Sequence, residues 1–229
     1  MKSILIVALC VLAARAGVAE AADSTEIWPE ASAFVQLSDR ARLYLDASYA
    51  ADKESDIESL GLSAFLDISL LPIVRRELRS HDWQRSRYFW SRIGYTHIVS
   101  AENSTRGEPE DRGVVSLYAK APLPADFWLE ARARADLRWI GDDYSTRYRF
   151  RLEATREFTV REHPIVPYFN YEWFYDTRYE DWTRTFGQLG FELTVNEHFR
   201  FEIYLARQVD RIPDYKTLDA VGLVAKWYY

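Results

Sequence analysis

The chain has 229 residues, of which 28% are charged, 48% hydrophobic and 15% aromatic, and its net charge is −6 at pH 7. The basic residues are interleaved with acidic ones instead of forming a patch, which excludes a nucleic-acid-binding surface. Beyond the N-terminal segment no apolar run approaches the roughly 18 residues of a membrane helix, so helical spanning is excluded as well.

At the N-terminus, Met1-Lys2-Ser3 is a short positive region, Ile4 to Ala14 is unbroken apolar sequence, and Ala19-Glu20-Ala21 is an A-x-A cleavage signal. This is the pattern of a secretory signal peptide. The only cysteine, Cys10, lies in the apolar run behind Leu9, where a lipoprotein signal needs a small residue. The expected organisation is a cleaved leader over residues 1–21 and one domain over residues 22–229, with neither a disulfide nor a thiolate metal site.

The rest of the chain repeats one unit, a strand of about ten residues with period-two alternation followed by a polar turn. Candidate strands fall at 28–37, 40–50, 60–72, 87–99, 113–121, 127–140, 145–158, 165–177, 183–195, 199–209 and 218–229. Leu43, Leu45 and Ala47 alternate with Arg42, Tyr44, Asp46 and Ser48. Leu129, Ala131, Ala133, Ala135, Leu137 and Trp139 alternate with Glu130, Arg132, Arg134, Asp136 and Arg138. Tyr148, Phe150, Leu152 and Ala154 alternate with Arg147, Arg149, Arg151 and Glu153, and Phe199, Phe201, Ile203 and Leu205 alternate with Arg200, Glu202 and Tyr204. Strands this long, apolar on one face and polar on the other, predict an all-β fold: an antiparallel up-and-down transmembrane β-barrel of about ten to twelve strands. A soluble sandwich shares the period but uses shorter strands. The candidates number eleven, whereas single-chain barrels of this kind have even counts, so twelve is the expected number. Pro29 cannot donate to a ladder, which marks the first segment as an edge or broken strand, or one outside the ring.

Turn lengths orient the barrel. With the C-terminus on the inner side, Ser38-Asp39, Pro122–Asp126 and Asn196–His198 are short inner turns, while Ala51–Ser59, Ala101–Arg112 and Asp210–Thr217 are longer outer loops. The charged segment Arg75–Arg85 is a long exception on the inner side. A solvated turn accounts for it, and a short amphipathic helix or an envelope contact is the alternative.

The polar faces carry a dense set of opposite charges. Glu130, Arg132, Arg134, Asp136, Arg138, Arg147, Arg149, Arg151, Glu153, Glu172, Arg184, Glu192, Arg200 and Glu202 are expected to form a lumen charge network, joined by Asp46, Asp67 and Arg92. Charges in a narrow interior must pair. The same arginine ladder suits a small pore or vestibule for anionic solutes, as charged rings do in channels. The two readings are compatible.

A catalytic site finds little support. His163 and His198 fall in turns, His81 in the charged inner segment, and His97 near an outer strand end with Ser100 and Glu102 close in sequence. A triad needs nucleophile, base and orienting group within reach of one another, and no G-x-S-x-G elbow occurs. No metal-ligand spacing appears, and no cofactor is expected. In the aromatic block Tyr168–Trp182, Phe169, Tyr171, Trp173 and Tyr175 are expected to face lipid, with Tyr175, Tyr179 and Trp182 in an interfacial girdle. A carbohydrate-stacking site is the alternative.

The final segment places Val221, Leu223, Ala225, Trp227 and Tyr229 on one face and stops on an aromatic residue. It resembles the closing strand of bacterial outer-membrane barrels, which implies that Trp227 and Tyr229 act as a terminal signal to the barrel-assembly machinery. Ile27-Trp28-Pro29-Glu30, Arg147-x-Arg149-x-Arg151, Phe174-Tyr175-Asp176 with Trp182-x-Arg184, and Arg207-Gln208 together resemble the DUF2490 family of outer-membrane barrel proteins. The resemblance implies fold and location, the bacterial outer membrane, and supplies no catalytic residues. The expectation is a non-enzymatic, monomeric barrel in contact with outer-membrane lipids, holding a small-solute pore or binding vestibule. An outer-membrane lipid-modifying hydrolase and an exported soluble β-protein are the alternatives.

Overall fold

The computed structural model describes residues 22–52, 58–70, 87–100, 108–160, 163–212 and 215–229. The expected leader and the Arg75–Arg85 segment lie outside these residues. The strands are β1 (Ser24–Ser38), β2 (Ala41–Asp52), β3 (Glu58–Ser69), β4 (Phe89–Ser100), β5 (Glu110–Pro122), β6 (Phe127–Ile140), β7 (Asp143–Arg156), β8 (Phe158–Val160), β9 (His163–Asp176), β10 (Asp181–Thr194), β11 (Phe199–Asp210) and β12 (Lys216–Tyr228).

Sequential neighbours pair antiparallel, and β12 returns to pair with β1, so the sheet closes into a barrel. The strand segments number twelve, but the ring contains eleven. The three-residue β8 pairs with β9 through Phe158↔Ile165 and continues the register that β7 sets through Arg147↔Asp176. β7 and β8 are therefore one wall interrupted at Glu157. An odd up-and-down ring leaves its first and last strands running the same way, and β1 and β12 do pair parallel, from Ser24↔Leu218 to Phe34↔Tyr228. The segment containing Pro29 thus closes the ring. Its β2 ladder skips Trp28 and Pro29 between Ile27↔Ala51 and Glu30↔Ser48, where proline has no N–H to offer.

Along most strands the lumen-facing residues are more buried than their outward neighbours, as in β9 and β11. Leu45, Leu60, Leu62, Leu66, Ile93, Val115, Leu117, Phe150, Phe169, Leu205 and Leu223 are exposed on the outer wall. Aromatic pairs mark both rims of that wall: Phe199–Trp227 with ring centroids 5.1 Å apart at the end carrying Tyr229, and Trp139–Tyr144 (5.3 Å) and Tyr175–Trp182 (5.7 Å) at the other. The polar phase of the alternation fills the lumen. Among the described residues, Tyr168, Tyr204, Ala206, Leu218, Ala220 and Val224 form an apolar cluster under β9 to β12. The two ends are termed the turn end, where β1 meets β2 and Tyr229 lies, and the loop end, where β2 leads to β3.

Candidate functional site

The lumen is built around a conflict. On β6 and β7, Arg132 lies directly opposite Arg151 and Arg134 opposite Arg149, and like charges across a strand pair repel. Recessed carboxylates resolve it by each bridging two cations. Glu172 on β9 takes Arg132 Nη2 at 2.5 Å and Arg149 Nε at 2.7 Å. Asp136 takes Arg134 Nε at 2.5 Å and Arg149 Nη1 at 3.6 Å. Glu130 takes Arg151 Nη2 at 3.0 Å, with Lys120 at 4.0 Å. Toward the loop end, Asp176 holds Arg138 at 2.7 Å and Arg147 at 2.9 Å, while Glu110 holds Arg112 at 2.6 Å and also Arg138. On β2 to β4, Asp67 holds Arg42 and Arg92, each at 2.6 Å. Arginine's planar fork suits it to this sharing, because one guanidinium reaches two carboxylates at fixed angles.

The wall formed by β10, β11, β12, β1 and β2 is different. Lys226 Nζ is bound by Glu192 at 2.7 Å and by Glu202, and Arg200 reaches Glu192 at 3.0 Å. Glu30 accepts a hydrogen bond from the Tyr204 hydroxyl at 2.5 Å. Asp46 accepts from Ser32 at 2.8 Å and Tyr44 at 3.0 Å. Among the described residues, the hydrogen-bond partners of these two carboxylates are thus neutral hydroxyls.

Aromatic rings pack the turn end of that half. Tyr228, Phe34, Tyr44 and Phe65 stack in sequence at centroid separations of 4.8, 4.6 and 5.4 Å, and Trp90 stacks on Tyr118 at 4.7 Å. Guanidiniums lie over the rings: Arg42 over Phe34 at 4.4 Å, Arg92 over Tyr44 at 4.1 Å and Arg200 over Tyr228 at 4.6 Å. These are cation–π contacts.

Above the stack a cavity of about 530 Å³ extends from mid-barrel into the loop-end half. Arg92, Arg134 and Arg147 line it, while their partners Asp67, Asp136 and Asp176 sit behind them at no more than 1% exposure. Glu30, Asp46 and Trp28 line the opposite side. A smaller cavity of about 190 Å³ lies toward the turn end and shares Arg151, Asn170, Gln188, Glu202 and Lys226 with the larger one.

Of the residues expected from the sequence, Glu130, Arg132, Arg134, Asp136, Arg138, Arg147, Arg149, Arg151, Glu172, Arg200 and Glu202 meet in these bridges, with Glu192. Glu153 lies 3.6 Å from Arg151, and Arg184 pairs with Asp210 near the loop end. Trp227 lies exposed on the outer wall, and Tyr229 follows β12 and is also exposed. Glu110, Arg112 and Asp176 were not foreseen as members: the expected fifth strand began at 113, which left the first two in a loop. The inward aromatic stack was not foreseen either, although Phe34, Tyr44 and Phe65 stand in the polar phase of their strands.

His97 faces outward, with Nδ1 2.5 Å from Asp111 Oδ1, a carboxylate that Tyr95 also donates to. The Ser100 side chain and Glu102 lie outside what the structure describes. Phe169, Tyr171, Trp173 and Tyr175 are all on the outer face, with Tyr171 and Trp173 edge to face at 4.8 Å. Among known families, the model for DUF2490, described as a protein of unknown function, matches residues 25–217. No curated protein matches the chain.

Proposed function

The chain belongs to the DUF2490 family, and from that premise we propose that it is a non-enzymatic barrel of the bacterial outer membrane whose lumen is a binding vestibule for a small charged solute. The observation that carries this reading is the roughly 530 Å³ cavity, where Arg92, Arg134 and Arg147 stand in front of the recessed Asp67, Asp136 and Asp176. A neutralising network alone would need no space. On the wall of β6 and β7, Arg134 and Arg147 front the cavity while their partners Asp136 and Asp176 do not, so an anionic group reaching that wall meets donors first.

The membrane placement is supported by the outer wall. Its many exposed Leu, Ile, Val and Phe side chains are the kind of surface that marks an interaction or membrane face, and aromatic girdles at both rims match a lipid-embedded belt. The closing strand and the N-terminal segment fit export and assembly by the barrel machinery. A monomer is the proposed state, with lipid as the outer-wall partner. The test is fractionation: the protein is expected in outer membranes and should migrate faster on gels unheated than boiled, as closed barrels do. Recovery in the soluble periplasmic fraction would refute the placement.

A further inference from the structure

Resting on the vestibule reading above, we infer that the larger cavity binds a zwitterionic solute, with its anionic group against the arginines of β6 and β7 and its cationic group against Glu30 and Asp46. The two poles face each other because of the ring itself. β6 stands five strands from β1 in one direction and six in the other, which is as far apart as an eleven-strand ring allows. Both walls line the same cavity.

Each pole has unfilled capacity. Glu30 lies opposite Ser48, two residues from Asp46 on the same face of β2, a diagonal of about 7–8 Å. Two carboxylates this close repel when both are ionised, and they are bonded by hydroxyls. The cations on that side are committed elsewhere: Lys226 to Glu192 and Glu202, and Arg92 to Asp67. A ligand ammonium between Glu30 and Asp46 would relieve their repulsion, with the rings of Tyr44 and Trp28 beside it. On the opposite wall, Arg132 is buried and, among the described residues, its Nε has no hydrogen-bond partner. A simple anion would satisfy the arginines but confront the carboxylates, and a simple cation the reverse. A solute carrying both charges satisfies both walls and lies along the field between them.

Calorimetry on the folded protein in detergent micelles tests this with three probes of equal chain length: 6-aminohexanoate, hexanoate and hexylammonium. The zwitterion is expected to bind about tenfold more tightly than either singly charged probe. In the double variant Glu30→Gln, Asp46→Asn, shown to be folded by heat-modifiable migration, that preference should fall to about twofold or less. Hexanoate binding as tightly as 6-aminohexanoate to the unaltered protein would overturn the zwitterion assignment and leave the vestibule standing. No binding of any probe would overturn both.

Discussion

Arg149 sits where the charge network is most interdependent. It is bonded to Glu172 through two nitrogens, at 2.7 and 3.0 Å, approaches Asp136, and lies 4.5 Å above the Phe174 ring. Arg149→Ala removes the shared cation but leaves Glu172 with Arg132, so the loss is partial. A stability decrease of about 2 kcal/mol is expected from urea titration of the refolded barrel. An unchanged midpoint would mean that the bridge is solvated and contributes nothing. A different constraint acts at Gly222, where a Cβ would lie 1.9 Å from the Tyr204 ring. That ring brings its hydroxyl to Glu30, so Gly222 and the acidic wall are linked through one side chain. Gly222→Leu should prevent formation of the compact, heat-modifiable species, since overpacking here displaces an aromatic ring rather than a flexible chain. Adding Tyr204→Ala should restore folding. Failure of that rescue would place the defect elsewhere.

At the scale of the strand, alternation was legible because lumen and outer wall make opposite demands on adjacent residues. Every candidate segment corresponds to a strand of the ring, with ends displaced by a few residues at most sites. Those displacements mattered. Glu110, which bridges two arginines, and Arg112 lie in the first residues of β5, ahead of the expected start at 113, whereas Asp176 fell inside its expected strand and was missed only as a member of the network. Period two also shows which residues share a face, but not which faces meet across the lumen. The stack from Tyr228 to Phe65 therefore could not be read from any one strand. The closing strand illustrates how much one terminus contributes. Tyr229 N–H donates to the Phe34 carbonyl and the Tyr229 carbonyl accepts from Gln36 N–H, both at 2.8 Å, while Tyr228 stacks on Phe34. Deleting Trp227-Tyr228-Tyr229 opens the parallel seam at the turn end and removes rim aromatics, leaving backbone groups that lipid cannot satisfy. Degradation and loss from the outer membrane are expected by immunoblot of membrane fractions. Normal levels of a heat-modifiable truncated chain would contradict that role.

For the whole molecule, the even strand count favoured from the sequence gave way to an odd ring because closure depends on the β1–β12 register, a contact between the two ends of the domain that no local pattern encodes. The same closure sets the acidic wall of β1 and β2 across from the arginines of β6 and β7, and so turns two unremarkable strand faces into a polarised cavity. The inside-out character of the barrel, polar within and apolar without, is the feature on which the membrane placement and the vestibule both depend. Cysteine accessibility probes it directly, since the sole cysteine, Cys10, lies in the expected leader. Ser48 lines the cavity, and Ala64 on the adjacent strand is exposed on the outer wall. In intact cells a charged, membrane-impermeant thiosulfonate should label Ser48→Cys and spare Ala64→Cys, whereas a lipophilic maleimide should label Ala64→Cys. Equal labelling of both positions by the charged reagent, or labelling of Ala64→Cys alone, would contradict a water-filled lumen enclosed by a lipid-facing wall.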